Sequence, residues 1–247
     1  MGIKPKRVPT SVERALDGAL DKAIAIQRPV VLAYLERVRA KRPDASPAQV
    51  IEQLERRYLV AVVGIGGASG AAAALPGVGT GAAVATGAVE IAGFVSATAM
   101  YVLAVAEVHG IPVSDPEFRR ALVLAVLLGE GATAALEGAA SQAPHWAQVI
   151  GQATSKEKIA GVNAKLAKLV LTRFGAKQGA LLVGRALPLG IGAGIGAVGN
   201  AALARGAIAS GRRAFGPAPL TMAARVIDAA PAGAQPRRRI RRRGTKL

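Results

Sequence analysis

Between Arg57 and Glu90 the chain runs for 32 residues without a charged side chain, YLVAVVGIGGASGAAAALPGVGTGAAVATGAV, and sixteen more follow Glu90 before Glu107. A third uncharged run of nineteen residues separates Arg185 from Arg205. Such runs belong in a protein core or in lipid, where a helix needs about 20 apolar residues to cross the hydrocarbon. Pro76 and Gly77 break the first run, and Gly and Ala fill much of it. These small residues gain little from transfer out of water compared with Leu or Ile. Gly66 with Gly70, Gly77 with Gly81, and Ala83 with Gly87 stand four apart, the spacing by which small residues let helix backbones approach. The run therefore reads as a hairpin of closely packed helices, buried or dipping into an interface. Integral spanning is the alternative.

Helix-start signals recur along the rest of the chain. Thr10 with Glu13, and Ser46-Pro47 with Gln49, form capping boxes, and Asp115-Pro116-Glu117 opens a further helix. Ser155 heads KEKIAGVNAKLAKLVLTRF, where Ile159, Val162, Leu166, Leu169 and Val170 fall on one face and lysines on the other. No stretch alternates with period two between turn residues. The expected fold is all-α, a multi-helix bundle of about eight helices with Gly/Ala-rich apolar hairpins. Residues 1–45 are expected to carry N-terminal amphipathic helices and residues 46–215 the helical core. Residues 216–247 are expected to form a flexible basic tail, rich in Pro and Ala. It ends in six arginines, Arg237, Arg238, Arg239, Arg241, Arg242 and Arg243, the candidate contacts for an anion or lipid headgroup.

The formal net charge of +17 is concentrated at the two ends. Residues 1–57 hold twelve basic and seven acidic side chains, whereas residues 58–136 hold only Arg119 and Arg120 against five acids. From residue 176 onward thirteen basic residues face a single acid, Asp228. Cationic ends around an apolar middle suit contact with a polyanion, either lipid headgroups or nucleic acid. The opening MGIKPKRVPTSVERAL lacks the apolar stretch of a secretory signal, and Lys6 departs from the myristoylation pattern. A cytoplasmic, membrane-associated location is the expectation.

Catalytic signatures are weak. The chain has no cysteine, which excludes disulfides, Cys-ligated metals and thiol chemistry, and its two histidines, His109 and His145, are far apart in sequence. No metal or cofactor site is expected. In PLGIGAGIGAVGN, Gly194, Gly196 and Gly199 spell G-x-G-x-x-G. A dinucleotide site would need a preceding strand and a following acid, and neither is present. On a helix begun after Pro188, Gly192, Gly196 and Gly199 instead form one stripe, beside Ile191, Ile195, Val198 and Ala202. Glycines cost a helix roughly 1 kcal/mol each, so packing must compensate. Asn200 stands at the edge of this stripe, placed to bond a neighbouring helix backbone or a ligand. Ser155-x-x-Lys158 lacks the companion motifs of serine acyl transferases and reads as a helix cap. Glu90 falls on a face of small residues, where a carboxylate must be paired or protonated. With Glu107, His109, Glu130, Glu137 and Asn200 it makes up a candidate buried polar cluster. His109 also fits the plainer role of a polar group at a helix C-terminus.

Three stretches together resemble the EcsC family of bacterial proteins. They are the hairpin with LPGVGTG, the block MYVLAVAEVHGIPVSDPEFRRALVLAVLLG, and RALPLGIGAGIGAVGNAALARGAIASGRRAF. Tyr101, Gly110, Asp115 and Arg120–Leu122 occupy its helix–turn–helix signature, and Pro188, the glycines and Asn200 its C-terminal pattern. The resemblance covers roughly residues 50–215 and implies a helical protein linked to a membrane transport or secretion process, without catalytic residues to transfer.

Three functional readings follow. In the first, the protein associates with an anionic membrane surface or a membrane protein, the apolar hairpins forming its core or entering the bilayer while the terminal arginines hold headgroups. In the second, the same arginines bind nucleic acid through its phosphates, without base recognition. In the third, Glu90, Glu107, His109 and Glu130 converge to do catalysis, which requires their side chains to lie within hydrogen-bond reach of one another.

Overall fold

Two reciprocal hydrogen bonds start one of the two longest helices. The Ser46 amide donates to Gln49 Oε1 at 3.0 Å, and the Gln49 amide donates to Ser46 Oγ at 3.4 Å, which satisfies two otherwise orphaned donors at a helix start. In the computed structural model residues 10–26, 28–73, 80–111, 114–129, 131–132, 145–152, 159–172 and 191–223 are described. The fold is all-α, with no strand among the described residues. Its helices are α1 (Thr10–Ile24), α2 (Arg28–Arg39), α3 (Pro47–Ala73), α4 (Thr80–Val108), α5 (Pro116–Leu128), α6 (Trp146–Gln152), α7 (residues 159–172) and α8 (Ile191–Phe215).

Local chemistry sets the remaining boundaries. Asp115 Oδ1 accepts from the amides of Glu117 at 2.8 Å and Phe118 at 3.4 Å, capping α5 with Pro116 at its first position. α4 ends at Gly110, whose φ of 71° turns the chain and lets the Ile111 amide donate to Ala106 O at 2.9 Å.

α4 is the centre of the bundle and touches α1, α2, α3, α5 and α8. Every residue from Tyr101 to Val108 is buried. α3 and α4 run antiparallel: Tyr58 stacks on Tyr101, while Ile65, further along α3, lies against Gly93, earlier on α4. α8 runs antiparallel to α3 in turn, with Asn200 at Val62 and Arg212 at Glu55. Ala19, Leu20 and Ala23 of α1 and Val31, Leu35 and Val38 of α2 enter the same core. Each larger aliphatic side chain among them contributes about 1.5–3 kcal/mol on full burial.

α7 buries Ile159, Asn163, Leu166 and Val170, and the Asn163 amide donates to Glu117 O and Oε2 at the start of α5. Leu169, expected on the apolar face, is instead exposed, because Asn163 takes a place on the inward stripe. Past α8, Met222 and Ala223 pack against the core. Among the described residues only Ala88–Val108 of α4 is long and apolar enough to cross a membrane, with mean hydropathy 1.8, and most of it is buried inside the protein.

Candidate functional site

The outward faces of α3 and α8 change character at a single level. On α3 the exposed stripe reads Glu52, Arg56, Val60, Gly64, Ala68. On α8 it reads Val198, Ala202, Arg205, Ala209, Arg213, in the opposite direction along the bundle. Because the helices are antiparallel and joined at Asn200–Val62, the charged halves of both stripes lie together, and so do the uncharged halves. Val60 and Val198 are each 72% exposed, and Val89 on α4 is 71% exposed. The uncharged part of α3, residues 58–73, is about 24 Å long, and that of α8, residues 191–204, about 21 Å. Glu90 is the sole charged residue of the sequence between Arg57 and Glu107, and it is buried.

At the boundary a groove of about 550 Å³ opens between the two helices, lined by Glu52, Glu55, Arg56, Leu59, Arg205, Ile208, Ala209 and Arg212. Arg212 holds buried Glu55 with two hydrogen bonds, Nε to Oε1 at 2.8 Å and Nη2 to Oε2 at 2.6 Å. That bond and the adjacent charge raise the Arg212 guanidinium above its ordinary pKa. Arg56 reaches Glu52 one turn back, at 2.5 Å.

The Glu55–Arg212 pair also walls a second cleft of about 470 Å³. Its far side brings His109 from the end of α4 and His145 from the start of α6 against the end of α8. His109 Nδ1 donates to Val105 O at 2.9 Å, one turn back on its own helix, and its ring lies 5.3 Å from that of Phe215. His145 lies over Gly216. The Tyr101 hydroxyl lies so close to α8 that a β-carbon on Gly211 would stand 2.9 Å from it. Burial, and then the charge of Glu55, push the Tyr101 phenol well above its usual range.

The candidate polar cluster is not gathered in one place. Glu107 is buried but faces α2, where Arg28 Nε and Nη2 donate to its two oxygens at 2.5 and 3.1 Å. This bond raises the Arg28 pKa. His109 points away from that pair into the cleft. Glu90 stands seventeen positions before Glu107 on the same helix, about 26 Å along its axis, so the two carboxylates do not share a site. Asn200 donates its side-chain amide to Val62 O at 3.1 Å across the α3–α8 contact. Gly192, Gly196 and Gly199 lie on α8 ahead of it. Asn200 heads the buried stripe Ala204, Ala207, Gly211.

The other expected site residues lie outside the described residues. These are Glu130, Glu137, Ser155 and Lys158, together with the whole arginine cluster of the tail: Arg237, Arg238, Arg239, Arg241, Arg242 and Arg243. The basic groups that the structure does place at a candidate anion site are instead Arg56, Arg205 and Arg212, on the helices themselves.

Glu55, Arg212, Arg205 and His145 were not singled out by motif or spacing. Glu55 carried a signal: Ile51, Leu54, Tyr58 and Val62 repeat at helical spacing, and Glu55 occupies an apolar-face position among them. The meeting of His109 with His145 left no trace in a sequence that separates them by 36 positions. Among the described residues no three His, Asp or Glu side chains converge in a metal-binding arrangement. Comparison with protein families, with curated proteins and with solved structures finds no match to this chain.

Proposed function

We propose that the protein works at an anionic membrane surface, with the uncharged end of the α3, α4 and α8 layer entering the bilayer and the arginines at its boundary meeting the headgroups. The observation that carries this reading is the shared level at which both exposed stripes lose their charge, between Arg56 and Val60 on α3 and between Arg205 and Ala202 on α8. The described uncharged parts of α3 and α8, about 21–24 Å long, exceed the roughly 15 Å of one leaflet's hydrocarbon. Apolar insertion and arginine–headgroup attraction then reinforce one another, as in other interfacial proteins. The large excess of basic residues in the sequence acts in the same direction.

The absence of cysteine makes the test direct, since one introduced cysteine carries one label. An environment-sensitive fluorophore on Val198→Cys is expected to shift to the blue on adding phosphatidylcholine–phosphatidylglycerol vesicles at low salt. The same label on Val30→Cys, exposed on α2 beside the Arg28–Glu107 pair, is expected to remain solvated. A full-length protein that neither shifts at Val198 nor sediments with the vesicles refutes membrane insertion.

A further inference from the structure

The boundary groove has a charge balance of its own. It holds two carboxylates and three guanidinium groups. Glu55 is taken by Arg212 through both oxygens, and Glu52 by Arg56. Among the described residues Arg205 has no carboxylate at ion-pair distance. One cation is therefore left over in a depression whose other walls, Leu59, Ile208 and Ala209, are apolar. Its volume of about 550 Å³ falls in the range of small-ligand sites.

We propose that this groove binds the phosphate of an anionic phospholipid, with Arg205 as the principal contact. The planar fork of a guanidinium matches two phosphate oxygens, and such charge-assisted pairs are among the strongest polar contacts available to a surface. Arg56 and Arg212 line the same groove. Their side chains are 73% and 67% exposed, so each can turn a remaining N–H toward the same anion while keeping its glutamate. The surface next to the groove favours a lipid over a soluble anion. One helical turn and two turns before Arg205, α8 exposes Ala202 and Val198, and α3 exposes Val60 and Gly64 beyond Arg56, all uncharged. A phosphate seated at Arg205 thus has an apolar track beside it for an acyl chain, which inorganic phosphate would leave unused.

This assignment rests on the membrane reading, and the experiment separates the two. Full-length wild type, Arg205→Gln, Arg205→Lys and Lys165→Gln are titrated with vesicles of phosphatidylcholine alone and of equimolar phosphatidylcholine and phosphatidylglycerol. Lys165 is exposed on α7, so its replacement removes the same charge away from the groove. Arg205→Gln is expected to weaken binding to the anionic vesicles about tenfold, Arg205→Lys by less, and Lys165→Gln by at most about fivefold, the worth of one diffuse surface charge. Thermal stability is expected to be unchanged in all three. Equal losses in the two glutamine variants overturn the groove while membrane binding stands. If wild type ignores both vesicles, the membrane reading fails, and inorganic phosphate decides what remains. A phosphate-dependent shift of the Arg205 side-chain NMR signal keeps the anion site but overturns the lipid, and no shift overturns both.

Discussion

Asn200 donates its side-chain amide to the carbonyl of Val62 at 3.1 Å, tying α8 to α3 where both helices have lost their charged residues. The bond is fully buried, with Asn200 only 2% exposed. In surroundings of Val, Ala and Gly an unpaired amide costs about 1–3 kcal/mol, so the pairing fixes which turn of α8 meets which turn of α3. Asn200→Ala is expected to destabilise the protein by about 1–2 kcal/mol, seen as a lower urea midpoint. Asn200→Leu is expected to be worse, because a branched side chain enters a contact built for close approach. An unchanged midpoint in Asn200→Ala would show that this residue serves a ligand rather than the fold.

The Arg28–Glu107 pair makes an asymmetric prediction. Glu107 is almost fully buried, while the Arg28 side chain is 31% exposed. Removing Arg28 strands a carboxylate inside the core, whereas removing the Glu107 charge leaves a guanidinium that can turn toward water. Arg28→Met is therefore expected to cost about 3 kcal/mol and Glu107→Gln markedly less. Chemical denaturation of both variants at neutral pH checks the order. Equal costs would mean that the pair is solvated in solution.

Short-range rules reached some of these features and missed others for a physical reason. Ser46 with Gln49, and Asp115 with Pro116, act within one turn of chain, so their sequence spacing already contains the geometry. The long uncharged runs likewise pointed to helices, since their small residues at four-residue spacing suit close approach of backbones. Asn200 was open between two roles, since a lone amide on a glycine face can meet a backbone or a ligand, and only the position of Val62 distinguishes them. The convergence of His109, His145, Glu55 and Arg212 depends on how four separate segments cross. Nothing local encodes that. Glu90 and Glu107 are apart for a different, local reason: one unbroken helix holds them about 26 Å from each other along its axis.

Two glycines of the α8 region are expected to respond in opposite directions. Gly216 has φ of 77°, and a β-carbon there would stand 2.5 Å from His145 Cε1 and Nδ1. Gly216→Ala combines left-handed strain with a steric conflict and is expected to cost about 2 kcal/mol or more. Gly206, inside α8, has nothing within 4 Å of its β-position. Gly206→Ala is expected to stabilise by up to about 1 kcal/mol through helix propensity alone. Thermal denaturation of both variants reads the sign. A neutral Gly216→Ala would mean that the His145 ring does not lie over the end of α8.

The last prediction concerns alkaline pH. The rings of Tyr58 and Tyr101 stack with centroids 4.9 Å apart, and the Tyr58 hydroxyl donates to Thr98 Oγ1 at 2.8 Å, since Thr98 gives its own proton to Phe94 O. Burial raises the pKa of both phenols far above the ordinary value of about 10 and that of half-buried Tyr34 in the same direction. In each case the native state keeps a proton that the unfolded chain releases. The stability tied to these phenols is therefore fully present below about pH 10 and falls as pH rises from there through the folded values. Each tyrosine contributes a slope of at most about 1.4 kcal/mol per pH unit. Urea titrations between about pH 8 and 11 are expected to show this decline, and Tyr58→Phe is expected to flatten it by about one proton. The phenylalanine ring retains the stack, and Thr98 still has Phe94 O as acceptor, so the loss at about pH 8 should be only about 1 kcal/mol. A slope unaltered by Tyr58→Phe would place that hydroxyl in water, outside the seam between α3 and α4.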